Sequence, residues 1–176
     1  NQIKQIEKLV NEFSDFARMP KPIFQKNDLA ILIKENINLL RELDKTINIT
    51  FSKNLEKILI NGDKEQLSRV FFNLIKNSIE SIHQKYEKKQ DFNKKISIEL
   101  IDRNDHIDVS IVDTGIGFDR VKSRITDILN PYFTTKKNGT GLGLSIVNKI
   151  INDHNGTINF FPIENGAKIK IIFSKK

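Results

Sequence analysis

Twice in this chain an apolar alternation runs into a polar turn and resumes, and these two hairpin patterns dictate most of what it can fold into. Ile96, Ile98 and Leu100 alternate with polar neighbours, residues 102–105 are polar, and Ile107, Val109 and Ile111 alternate again. That period of two marks strands with one buried face, and it delivers Asp113 to a strand end. The second pattern joins Ile158 and Phe160 to Ile169, Ile171 and Phe173 across Asn165-Gly166. Further strand signals are the alternation of Ile47, Ile49 and Phe51 and the run Ile58-Leu59-Ile60, closed by the turn pair Asn61-Gly62. Helical stripes separate them. Leu29, Leu32, Ile33, Ile37 and Leu40 follow Asn27 or Asp28 as cap; a second helix opens after Asp63, with Gln66 at the capping-box position, and runs to about His83. A third runs from Leu142 through Ile146, Val147, Ile150 and Ile151 to Gly156. Strands and helices mix without strict βαβ alternation, so the fold class expected is an α/β two-layer sandwich, a mixed sheet with helices on one face.

Ahead of that unit, Ile3, Ile6, Leu9, Val10, Phe13 and Phe16 trace an apolar seam on a helix already running at residue 1. Its near-heptad spacing fits a bundle partner, and its abrupt start suggests a chain cut from something longer. Met19-Pro20-Lys21-Pro22 stops it, because each Pro lacks an amide donor and disfavours a helical predecessor. The organisation expected is a helix over 1–19, a linker over 20–26 and one domain over 27–176.

No apolar run approaches the roughly 18 residues a bilayer span needs, so a soluble unit is expected. The chain has no Cys, which excludes zinc ribbons, iron–sulfur centres and thiol nucleophiles. Lys and Arg number 29 against 22 Asp and Glu, a net charge of +7 that favours an anionic partner. The basic residues form no stripe, and nucleic acid is not the expected partner.

Five of the eight Gly fall in two short clusters. Gly139-Thr140-Gly141-Leu142-Gly143-Leu144-Ser145 opens a helix, where small residues let backbone amides and the positive helix end approach a phosphate while Thr140 and Ser145 offer hydroxyls. It matches neither the P-loop nor the dinucleotide pattern. Asp113-Thr114-Gly115-Ile116-Gly117 follows a strand; a carboxylate there can accept from an exocyclic amine, and Gly115 and Gly117 leave room for a flat ring such as adenine. On the central helix Asn73 and Asn77 lie four apart on one face. Their amide oxygens are acceptable ligands for Mg²⁺, which takes much of its shell from nucleotide phosphates and water. Residues 118–138 show no sustained period and are expected to form a lid.

In order and spacing these clusters resemble the N, G1, F and G2 boxes of the catalytic ATP-binding domain of sensor histidine kinases: Asn73-Leu74-Ile75-Lys76-Asn77, 113–117, Pro131-Tyr132-Phe133-Thr134-Thr135-Lys136 and 139–143. The stretch Phe13 to Pro22 is similar to the end of the dimerisation domain in nitrogen-regulation sensor kinases of the NtrY type. Two residues depart from the common pattern: Ser78 stands where the family usually has Ala, a change expected to fit the sheet face, and Glu80 where other subgroups are often basic.

The resemblance implies a Bergerat-type sandwich preceded by one helix of a dimerisation bundle. It also implies ATP with its adenine at Asp113, Mg²⁺ at Asn77 supported by Asn73, and phosphates at Gly141, Gly143 and the following helix start, with the amide of Leu142 between them. Lys136, and secondarily Lys137, would reach the phosphates. None of His83, His106 and His154 has an acceptor setting, so the acceptor His would lie on the helix preceding residue 1, in a homodimeric parent anchored in the inner membrane. Its catalytic part would be cytoplasmic and would serve a response regulator receiver domain. The rival readings are an ATPase of the gyrase, chaperone or mismatch-repair branch, which resembles this chain in the second Asn but carries Glu where Asn73 stands, and a nucleotide-responsive pseudoenzyme.

Overall fold

In chain order the elements are β1 (Gln25–Asp28), α1 (Leu29–Leu43), β2 (Asn48–Lys53), β3 (Leu59–Gly62), α2 (Lys64–Tyr86), β4 (Lys95–Asp102), β5 (His106–Asp113), a 3-10 turn (Ile125–Leu129), α3 (Gly143–Asp153), β6 (Gly156–Ile163) and β7 (Gly166–Ser174). The structure, a computed structural model, describes residues 7, 10, 14, 19–86, 93–118, 125–134, 136 and 139–175, with residues 125 and 126 described in their backbone alone.

The two predicted hairpins supply four strands of a five-stranded sheet of order β2-β4-β5-β7-β6. β5 joins them, pairing antiparallel with β4 (Ile98 opposite Ile111) and with β7 (Ile111 opposite Ile169). β2 lies parallel to β4, which makes the sheet mixed. Alternate residues along the sheet strands, among them Ile49, Ile96, Ile98, Val109, Ile111, Ile171 and Phe173, are buried beneath α1, α2 and α3. The opposite face carries Thr50, Ser97, Glu99, Ser110 and Lys168, short polar side chains flanked by long charged ones, and stays open to solvent. The architecture is the expected α/β sandwich with helices on one face.

Local signals act as read. Asp28 caps α1, its Oδ1 accepting the Ala30 N–H at 3.0 Å, and Asp63 caps α2 by accepting the Gln66 N–H at 3.0 Å. Gln66 does not close a capping box: its Nε2 donates to the Pro20 carbonyl (3.0 Å), and the Asp63 N–H donates instead to His154 Nε2 (2.9 Å). β1 pairs antiparallel with β3 where polar sequence gave no strand signal, so the last part of the predicted linker, Gln25 and Lys26, is strand. Residues 20–24 are fastened as well, through the Ile23 N–H to Asp63 Oδ2 (2.8 Å) and the Phe24 ring against His154 at 5.2 Å.

Glu7, Val10 and Ser14 are helical; the other members of the amino-terminal seam, Ile3, Ile6, Leu9, Phe13 and Phe16, lie outside the described residues. Within the segment read as irregular, 125–129 forms a 3-10 turn that buries Ile128 against the core, with Leu129 and Phe133 partly buried beside it. Residues 119–124, Thr135, Lys137 and Asn138 lie outside the described residues. Among the described residues no helix is long and apolar enough to cross a membrane.

Candidate active site

Helix α2 is the axis on which the site is built, and its periodicity sorts its polar residues into two stripes. Ser78, Ser81 and Lys85 grip the loop that leaves β5. The Ser78 hydroxyl donates to Asp113 Oδ2 at 3.1 Å, Ser81 Oγ accepts the Ile116 N–H at 3.1 Å, and Lys85 Nζ donates to the Thr114 carbonyl at 2.9 Å. Asp113 Oδ1 accepts the Gly115 N–H at 2.9 Å. Burial pushes the Asp113 carboxyl above its ordinary value, and hydrogen bonds from Gly115, Ser78 and Ala167 with the nearby Lys85 charge offset this only in part. A carboxylate offers about four acceptor positions, so these bonds leave capacity for one further donor such as an amine.

Two glycines let this loop lie close. A Cβ on Gly115 would come within 2.1 Å of Ser81 Oγ, and Gly117, at φ +75°, would meet the Gly166 carbonyl oxygen at 2.5 Å. The Asp113 loop is thus wedged between α2 and the β6–β7 turn.

The second glycine cluster stands at the start of α3. Gly141 has φ +71°, its carbonyl accepts the Tyr132 N–H at 3.1 Å, and a Cβ there would fall 2.3 Å from the Tyr132 carbonyl carbon. Tyr132 is itself left-handed at φ 68°, so the two backbones meet at an exposed, tightly turned junction. Gly143 differs: a Cβ there would meet nothing within 4 Å. Leu142 occupies the N-cap position without a side-chain hydrogen bond, so the first amides of α3 have no side-chain cap at the positive end of the helix. An anion fits this end. Thr140 is half-buried beside it. Ser145 is placed differently from its reading as a hydroxyl donor, because its buried Oγ donates back to the Leu142 carbonyl at 2.9 Å. Leu142 is buried in the core, which leaves only its backbone for a ligand.

On the other stripe of α2, Asn73, Asn77 and Glu80 follow one another at four and three residues. Lys136 reaches across to them: its Nζ donates to Asn77 Oδ1 at 2.8 Å and makes a close ion pair with Glu80. The Asn77 oxygen therefore already accepts from a cation in this structure, and an amide oxygen of this kind is chemically suited to Mg²⁺. Among the described residues no group of three or more His, Cys, Asp or Glu gathers, so such an ion would depend on phosphates and water for the rest of its shell.

The three imidazoles are otherwise engaged. His154 is buried, its Nε2 accepting from Asp63 and its Nδ1 2.7 Å from the Ile150 carbonyl. His83 pairs with Asp44, and His106 lies 2.6 Å from Asp105 in the β4–β5 turn. The sequence singles out Asp113 and the asparagines but not the grip of Ser78, Ser81 and Lys85, although their spacing of three and four is a helical signature.

Residues 62–176 match the family described as histidine kinase-, DNA gyrase B- and HSP90-like ATPases. An NtrY-like sensor histidine kinase of Rickettsia prowazekii (strain Madrid E) is 35% identical over 97% of this chain, which spans 27% of that protein. The catalytic domain of histidine kinase ThkA is 30% identical with a TM-score of 0.73, over 87% of this chain and 96% of that domain. A second structure, ThkA in complex with the response regulator TrrA, aligns over 100% of this chain and 49% of its own, with 27% identity and a TM-score of 0.79. With the buried Asp113, the glycine-lined helix start and the paired asparagines already in place, this chain belongs to the histidine kinase-, DNA gyrase B- and HSP90-like ATPase family, as a catalytic ATP-binding domain of the sensor histidine kinase type.

Proposed function

We propose that the domain takes ATP with its adenine amine on Asp113 and its phosphates at the amides of 141–143, and passes the γ-phosphoryl group to a histidine on an upstream dimerisation helix outside this chain. Asn77, supported by Asn73, would hold Mg²⁺, which supplies neutralisation of the phosphate charge. Phosphoryl transfer asks little covalent chemistry of a protein, so these residues orient the nucleotide and balance its charge. Lys136 is close enough to Asn77 to act on the same phosphates.

Asn73 carries the choice of acceptor. An ATPase needs a carboxylate there to take a proton from water, and an amide cannot do this. The nearest carboxylate on that stripe, Glu80, lies about 10 Å further along the helix and is paired with Lys136. The parent protein is read as a membrane-anchored homodimer with this domain on the cytoplasmic side and a response regulator as recipient, a partnership supported by the ThkA assembly with TrrA.

Incubation with γ-labelled ATP tests the reading. The chain should bind ATP without labelling itself and should label a separately supplied dimerisation helix bearing the acceptor His. Acid-labile label on His83, His106 or His154, or brisk hydrolysis without an acceptor, would overturn it.

A further inference from the structure

Glu80 has no role in the reading above, yet it is an ion-pair partner of Lys136, a residue that does. It sits three residues after Asn77 on α2, and the two side chains converge on one ammonium, that of Lys136. An amide oxygen and a carboxylate oxygen around a single cation are the donor types a divalent ion selects, so Lys136 occupies ground that a metal at Asn77 would need. Two cations cannot share it. Lys136 and Glu80 are 35% and 42% exposed, which makes their pair a modest and exchangeable contact. The main chain of Lys136 is tied down, its N–H donating to Thr134 Oγ1 at 3.1 Å and its carbonyl accepting the Gly139 N–H at 3.2 Å. Release of the ammonium therefore requires only rotation of its side chain, from a root three residues before the glycine cluster. Glu80 then keeps a second cation nearby in Lys76, whose Nζ lies 4.0 Å away.

We propose that Glu80 is a positioning residue that holds the Lys136 ammonium against Asn77 in the nucleotide-free domain, so that loading of the metal–nucleotide complex requires Lys136 to exchange off Asn77. The inference rests on the ATP-binding reading and adds a gate on the metal side of it. A basic residue at position 80 would repel the ammonium; an acidic one retains it.

The test is a Mg²⁺ titration of the ADP-saturated domain, followed by calorimetry, beside ADP binding in EDTA and thermal unfolding. Glu80→Gln keeps the shape and loses the charge. It should lower the Mg²⁺ concentration required by about two- to five-fold, the range of a half-exposed ion pair, while ADP affinity in EDTA and the melting temperature stay unchanged. Lys136→Gln should lower the requirement similarly, and the double variant should go no further than either alone. A raised requirement in Glu80→Gln would show that Glu80 serves the metal and does not hold the lysine; an unchanged one would show that it does neither. Both overturn the proposal. Failure of the unaltered domain to bind ADP at all would instead refute the ATP-binding reading on which the proposal rests.

Discussion

The Ser78 hydroxyl donates to Asp113 Oδ2 across 3.1 Å in a setting where Ser78 is 2% and Asp113 4% exposed. A hydrogen bond from one turn of α2 thus helps keep a desolvated carboxylate in its charged, accepting form. Asp113→Ala should weaken ATP binding by roughly 1–3 kcal/mol through loss of that acceptor. Ser78→Ala should act more subtly. The folded pKa of Asp113 is raised, so ATP affinity should fall as pH drops through that raised value, while the stability contribution runs the other way and is lost as pH rises through it. Removing the Ser78 donor should move the acid limb of ADP affinity to higher pH. Calorimetry across pH checks this, and a limb that stays in place would mean that the hydroxyl only fills space.

The stability of the domain should respond oppositely to a methyl group at Gly143 and at Gly141. Gly143→Ala meets open space and replaces a flexible residue at a helix start, so unfolding free energy should rise by up to about 1 kcal/mol while ATP affinity falls. Gly141→Ala collides with the Tyr132 backbone at positive φ and should cost both stability and binding. Paired urea titrations and nucleotide titrations separate the two. Unimpaired ATP binding in Gly143→Ala would remove the phosphates from this helix end.

Asn77→Ala should divorce activity from folding. Its helix propensity is favourable, so stability should stay within about 0.5 kcal/mol of the parent. Phosphotransfer to a supplied acceptor helix should drop on the order of 10- to 100-fold, as metal-site partners typically do when removed. A melting temperature that falls in step with transfer would make Asn77 a structural residue.

On the open face of the sheet, burial pushes the Asp108 carboxyl up, but hydrogen bonds from Arg103 (3.0 Å) and Lys170 (3.3 Å) outweigh it and leave the group below its ordinary value. Its stabilisation is therefore present above the usual carboxylate range and lost as pH falls through the lowered folded value. Asp108→Asn should cost about 1.5–3 kcal/mol at neutral pH. The gap to the parent should close in acid, as unfolding curves at two pH values would report.

Much of this molecule was legible in the chain because its main signals are local. The alternation from Ile96 to Ile111 names both strands and their shared buried face, and Asp63 announces α2 by residue type alone. β1 was not legible, since Gln25-Lys26-Asn27-Asp28 has no apolar period and becomes a strand only by pairing with β3. The candidate site divides along the same line. Asp113, Asn77 and the glycines belong to compact motifs, whereas Ser78 meets Asp113 across 35 residues, Lys136 meets Glu80 across 56, and His154 meets Asp63 across 91. Contacts of that range leave no local pattern. The hydroxyl of Ser145 shows the converse, a residue of the right type in the right motif turned inward to its own helix.

The gripping stripe on α2 also makes the number of residues there harder to change than their identity. Deleting one residue between Ser78 and Ile82 would rotate everything downstream by about 100° and draw it back by about 1.5 Å. Lys85 would then swing away from the Thr114 carbonyl, and Ile82 and Tyr86 out of the core. Substitutions along this helix fail one at a time, but an insertion or deletion fails all at once, so across descendants of this sequence the segment should vary in lettering and hold constant in count.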